Sequence, residues 1–318
     1  MKLHFKGHFL LIFLLFCLNS NMAFAQQSYL EYHRQFSIIE RLIVDEKFIE
    51  AESEIDSLFQ SYDVKFSKDY VIAAQICLLN GNKEKATDLL IKSFRNGIKS
   101  KCLRTIPICK EKFEDEIWAK LEKAENEKKK EYLKNLDLKL HKEFHTRYQT
   151  EQDAKGSQHY RAIVQSNFDR IKDLISENKS IGEASIGLDN QKFASSIADC
   201  SLGNSKVIVT LLHYDYPVSE LGIENLITEI KKGNLHPREF ASIYTFEINK
   251  VSKLYKNSNK VYPPLPHYDF NFPFGKKSEE LKKVNQDRAL FGICPYETDL
   301  KKEAICKKYG LKLEFGYR

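Results

Sequence analysis

The sequence contains no Gly-x-Ser-x-Gly element and no paired Cys-x-x-Cys, and Gly182 and Gly187 lack the flanking pattern and the lysine of a phosphate loop. The common serine-hydrolase, zinc-ribbon and nucleotide-cradle signatures are therefore missing. Thirteen glycines and eight prolines in 318 residues are too few for a collagen-like or elastic chain, and 42% hydrophobic residues are too many for a wholly disordered one. Excess charge of one sign is also scarce. Fifty basic against 44 acidic residues leave +6, which is not a nucleic-acid footprint, so no nucleic-acid partner is expected. The one marked apolar run, residues 9–18, spans about 15 Å as a helix and falls short of the roughly 30 Å of a bilayer core, so no membrane span is expected once it is removed.

That run has a different use. Lys2 and Lys6 precede it, a polar break follows at residues 19–21, and Ala23-Phe24-Ala25 has the small-x-small form of a cleaved leader. Residues 1–25 read as a signal peptide cut before Gln26, and loss of the two lysines takes the charge from +6 to +4. Export to the periplasm, the cell surface or beyond is expected, where disulfides persist. Cys77, Cys102, Cys109, Cys200, Cys294 and Cys306 remain, with local bridges Cys102–Cys109 and Cys294–Cys306 open as options and Cys77 read as a buried thiol.

From residue 29 to residue 97 apolar residues recur at helical spacing. Gln35, Ile38, Ile39, Leu42, Ala51, Ile55 and Leu58 are echoed 35 residues later by Tyr70, Ala73, Ala74, Cys77, Ala86, Leu90 and Ser93. These offsets resemble the tetratricopeptide repeat, with turns at Asp45-Glu46 and Gly81-Asn82. Two units are too few for a free-standing solenoid, so the segment holding Pro107 and Trp118 is expected to cap them, with Trp118 as a core plug. Residues 121–149 then read as one charged amphipathic connector helix.

The remainder, residues 150–318, shows helical patterns near 149–177, 189–214, 217–232, 237–255 and 277–290, while Val207 to Leu212 fits a helix or a buried strand. The aromatic, proline-rich residues 262–275 read as an ordered loop. The whole is expected to be mostly α: a signal peptide (1–25), a tetratricopeptide-like region (26–120), the connector (121–149) and a compact helical domain (150–318).

In this last region His213-Tyr214-Asp215, the helical stretch 226–232 with Gly233, and Asp287-Arg288 followed by Gly292 and Pro295 resemble a bacterial domain family of unknown function, whose members often carry tetratricopeptide-like helices in front. The family's leading Asp-Gln-x-x-Arg corresponds here to Glu151-Gln152-Asp153-Ala154-Lys155, its centre holds His-x-Asp, and the resemblance covers residues 150–315. Its Asp-Arg after the central helices and its Gln-x-Tyr-Gly element are not matched at residues 244–247 and 253–256.

Two functions follow. The leading expectation is a protein- or peptide-binding module whose front helices offer a concave face. The competing one is a hydrolase-like enzyme with Glu151, Gln152, His213, Asp215 and Arg288 in one pocket. His213 is the natural base and Asp215 its orienting group, although residues two apart diverge by about 200° on a helix. Asp215 as the cap of the following helix, and Arg288 as an anion clamp or as partner to a carboxylate such as Glu151, are the alternatives. His159, His236 and His267 have no ligand spacing, and no metal or cofactor is expected. Convergence of the five side chains on one cavity would favour the enzyme.

Overall fold

The computed structural model describes residues 28–188, 206–254, 265–271 and 278–313. Among them lie sixteen α-helices and no strand, so the fold is mostly α. The leader, Cys200, the helix expected over residues 189–205 and both ends of the 262–275 loop lie outside the described residues.

Helices α1 (Tyr29–Val44) and α2 (Phe48–Ser61) form one hairpin, and α3 (Ser67–Leu79) and α4 (Lys83–Ser93) form another. Their turns are built alike. Lys47 N donates to Leu42 O at 2.9 Å and Asn82 N to Cys77 O at 2.8 Å, and the preceding residue is left-handed in both, Glu46 at φ +60° and Gly81 at φ +82°. Glycine takes that conformation without strain. Glu46 does so while held by Lys308 at 2.6 Å. Ala51 and Ala86 are fully buried, small enough for close helix approach. Helix α3 is buried on nearly every side, and Gln75 on it pairs with Lys312 of the C-terminal tail in both directions, at 3.1 and 2.7 Å.

A 3-10 turn (Phe94–Asn96), α5 (Ser100–Leu103), α6 (Pro107–Lys112) and α7 (Asp115–Asn135) cover the second hairpin. Trp118 is buried there, edge-on to Phe113 at 5.5 Å, with Arg104 over its ring at 4.4 Å. The single connector helix expected over residues 121–149 is two helices. Leu136 turns extended and buried, and Asp137 accepts from Lys139 N and Leu140 N at 3.0 Å, starting α8 (Leu138–Asp153) afresh.

Helices α9 (Tyr160–Ser176), α10 (Glu183–Ile186), α11 (Lys206–His213), α12 (Pro217–Leu221), α13 (Ile223–Lys231), α14 (Pro237–Leu254) and α15 (Ser278–Leu290) build a second core around Phe144, Phe168, Leu211, Phe240 and Tyr244. Val207 to Leu212 is therefore helical. The patterns expected as single helices near 149–177 and 217–232 are each broken, at Gly156 (φ +83°) and Gly222 (φ +84°). Helix α16 (Tyr296–Tyr309), absent from the sequence reading, runs back to α1, so Ile305, Leu311 and Leu313 join the first core.

Both local disulfide options fail. Cys102 is disulfide-bonded, while Cys77, Cys109, Cys294 and Cys306 are free. Eleven residues, all but Pro295 on α16, separate Cys294 from Cys306, about 15 Å of helix against the 4–7 Å that a bridge spans. Cys109 is buried in α6, whose Ile108 N donates to Gly310 O at 3.0 Å.

Side chains of the front hairpins and of the loop between them meet the later part of the chain. The His236 ring lies 4.7 Å from that of His33 and 5.1 Å from that of Phe66, Glu183 accepts from Ser67 N at 2.5 Å, and Lys65 Nζ donates to Lys232 O at 2.7 Å. Arg238 and Lys302 meet Glu40 on the same side. Glu183, Lys232, His236, Arg238 and Lys302 thus pack against the front hairpins.

Candidate functional site

Helix α8 carries Leu140, Phe144 and Glu151 at spacings of four and seven, which places all three on one face. That face packs into the second core, so Glu151 is fully buried. A bare buried carboxylate would cost several kcal/mol, roughly, and Glu151 avoids this because both of its oxygens are taken. Asn167 of α9, itself buried, donates to Oε2 at 2.7 Å. The Nδ1 atom of His213, at the last residue of α11, hydrogen-bonds Oε1. A carboxylate can only accept, so the imidazole proton sits on Nδ1 and the Nε2 lone pair is left for other chemistry. The His213 side chain is 24% exposed.

Asp215 does not orient His213. Past the helix end it swings away and is bracketed by Arg161 of α9 and Lys250 of α14. It does not cap α12 either. That task falls to Glu247 of α14, which accepts from Val218 N at 2.5 Å and Ser219 N at 3.1 Å and also binds the Ser219 hydroxyl. Burial raises the Glu247 carboxyl above its ordinary range, and those donors only partly offset it.

Gln152, next to Glu151, has a buried amide nitrogen with no hydrogen-bond partner. Buried polar atoms are nearly always paired, so this orphan stands out, although one residue along a helix turns its side chain about 100° away from that of Glu151. Tyr160 lies close enough to Glu151 that, after burial, this charge is the next cause raising its phenol. On the far side of Asn167, α8 and α9 leave a cleft of about 450 Å³ lined by Thr146, Arg147, Thr150, His159 and Ser166 among others.

Arg288 belongs elsewhere. It donates to Cys294 O and Phe270 O at 2.7 Å each and pairs with Asp299, not with Glu151. The reason is local: Arg288 ends α15 and Asp299 opens α16, so the pair closes that corner. Of the five residues, Glu151 and His213 meet, Gln152 and Asp215 neighbour them along the chain, and Arg288 pairs elsewhere.

Sequence reasoning missed Asn167, Arg161, Lys250 and Glu247. Only Glu151 had a readable signal, a carboxylate continuing the apolar stripe of α8. Among the described residues no trio of His, Cys, Asp or Glu is placed to hold a metal, and no helix is long and apolar enough to cross a membrane. The chain matches no protein-family model, and no curated protein or solved structure matches it.

Proposed function

We propose that the C-terminal half carries an acid–base site of hydrolase type, with His213 as the base and Glu151 as the group that orients it. The observation that carries this reading is the His213–Glu151 hydrogen bond, with the carboxylate fully buried and braced by Asn167. An imidazole held at Nδ1 by a buried carboxylate is fixed in tautomer and direction, which general-base catalysis requires. In the reaction, Nε2 takes a proton from water, the water oxygen attacks an acyl or phosphoryl centre, and the imidazolium returns the proton to the leaving group. Residues of the leading and central motifs that resemble the bacterial domain family, Glu151 and His213, are the two that touch.

Export is part of the same reading, supported by the leader pattern and by the bonded Cys102. The matching turns 35 residues apart support tetratricopeptide-like front hairpins. Met by Glu183, His236 and Arg238, these act as a scaffold for the second half, and a protein partner would dock on a part left exposed, such as that around Ile49.

The test is an assay of the purified chain from Gln26 on p-nitrophenyl acetate, p-nitrophenyl phosphate and bis-p-nitrophenyl phosphate. Turnover should fall by about 10²-fold or more in His213→Ala and Glu151→Gln, with each variant assayed below a melting temperature that the loss of the buried pair is expected to lower. Turnover on none of these substrates, or turnover indifferent to His213→Ala, would sink the proposal.

A further inference from the structure

The groups around the His213–Glu151 pair are donors with few acceptors to serve. Arg161 and Lys250 share one carboxylate, Asp215, and the Arg161 side chain is 73% exposed. Lys250 also lies 5.2 Å from the Phe246 ring. Asp215 is the one carboxylate that both cations meet among the described residues, while the two oxygens of Glu151 are engaged with His213 and Asn167.

The Asp215 pairing also shows some strain. Burial first, and then Arg161 beside it, push the Lys250 ammonium below its ordinary range. The two cations repel one another, and a single carboxylate holds them together. A second oxyanion arriving there would relieve that repulsion and gain charge-assisted hydrogen bonds.

We propose that the site takes a substrate bearing an oxyanion, a carboxylate or a phosphate group, gripped by Arg161 and Lys250, with Asp215 as the resident counter-ion that holds the two cations in place. Its description as a substrate anchor rests on His213 being the base, whereas the anion site itself stands on the Arg161–Asp215–Lys250 geometry. Asp215 is thereby a positioning residue, and its removal is predicted to act in a direction that a purely structural ion pair would not.

The experiment is a titration of the full chain from Gln26 with inorganic phosphate and, separately, acetate, followed by the imidazole resonances of His213 at constant ionic strength and pH. Phosphate should move the His213 signals saturably, and Arg161→Gln and Lys250→Gln should each weaken that binding about tenfold. Asp215→Asn should tighten it, because the competing carboxylate is gone. Arg161 is mostly exposed, so its variant is expected to fold, and a thermal melt checks this. His213→Ala, followed by the Arg161 side-chain resonances, should bind phosphate as before while losing turnover, so a failure of the acid–base reading leaves the anion site standing. The proposal is overturned if neither anion shifts His213 saturably, if chloride shifts it equally, or if Arg161→Gln and Lys250→Gln bind phosphate undiminished.

Discussion

Glu40 of α1 accepts from Arg238 of α14 at 3.2 and 3.3 Å, across 198 residues of sequence. Lys302 of α16 reaches the same carboxylate at 2.9 Å, and Arg238 also meets Asp299 at 2.8 Å. Burial opposes charge on Asp299, but Arg238 and Lys302 outweigh it and hold that carboxyl well below its usual range. The cluster ties the first helix to the last.

Removing Glu40 takes one carboxylate from two buried cations, which must then share Asp299. Glu40→Ala is therefore expected to cost about 3–5 kcal/mol, read as a lower urea midpoint. A midpoint within about 0.5 kcal/mol of the parent would mean that the cluster is solvated and holds nothing together.

Beside this cluster, Glu183 is raised from 4.5 to about 8, chiefly by burial, although Lys68 pulls it down. A carboxyl raised on folding stabilises fully below its unfolded value and loses that contribution as pH climbs from 4.5 to about 8. Asp69, raised to about 7, has the same sign, whereas His33 and His236, lowered mainly by burial, act oppositely below 6.5. Glu183→Gln removes one titration and leaves the rest. Its stability relative to the parent should be level near pH 4.5 and rise by about 1.4 kcal/mol per pH unit toward pH 8. Urea melts at three pH values decide it, and a constant difference would refute the linkage.

Gly292 sits at φ +70°, and a Cβ on it would come within 2.9 Å of Arg34 N and His33 Cβ. The backbone of α1 has little room to retreat. Gly292→Ala should cost about 1–3 kcal/mol from the left-handed conformation alone, with the clash added. Calorimetry should show a lower melting temperature, and no change would mean that the α15–α16 corner does not press on α1.

Three of the free thiols, Cys77, Cys109 and Cys294, are pushed up to about 12, each mainly by burial. They should resist iodoacetamide in the native protein and react once it is denatured. Cys102 should react only after reductant is added. Peptide mass mapping reads all of these, and alkylation of Cys102 without reductant would remove the support it lends to export.

The hairpins were legible because their evidence is local. Ala51 and Ala86, the turn residues and the apolar spacing repeat within 35 residues, and each turn closes on atoms at most five residues away. Helix α16 escaped notice because its apolar residues are few: it is held by charges, Lys302 to Glu40 and Lys308 to Glu46, whose partners lie more than 250 residues upstream. Glu151 and His213 could be nominated singly, but their meeting could not, since they lie 62 residues apart on α8 and α11, with α9 and α10 between. Asn167 looks like any polar helix residue until α8 and α9 are packed together.

The amino-acid order alone settled the helical class, the paired front helices and the polar residues to watch, because periodicity and turn chemistry act over a few residues. Only the tertiary structure decided that Glu151, not Asp215, holds His213, that Arg288 serves a corner, and that Glu183, His236, Arg238 and Lys302 pack against the front hairpins. Each of those outcomes depends on which buried charge finds which partner across the chain, and that choice is made by packing.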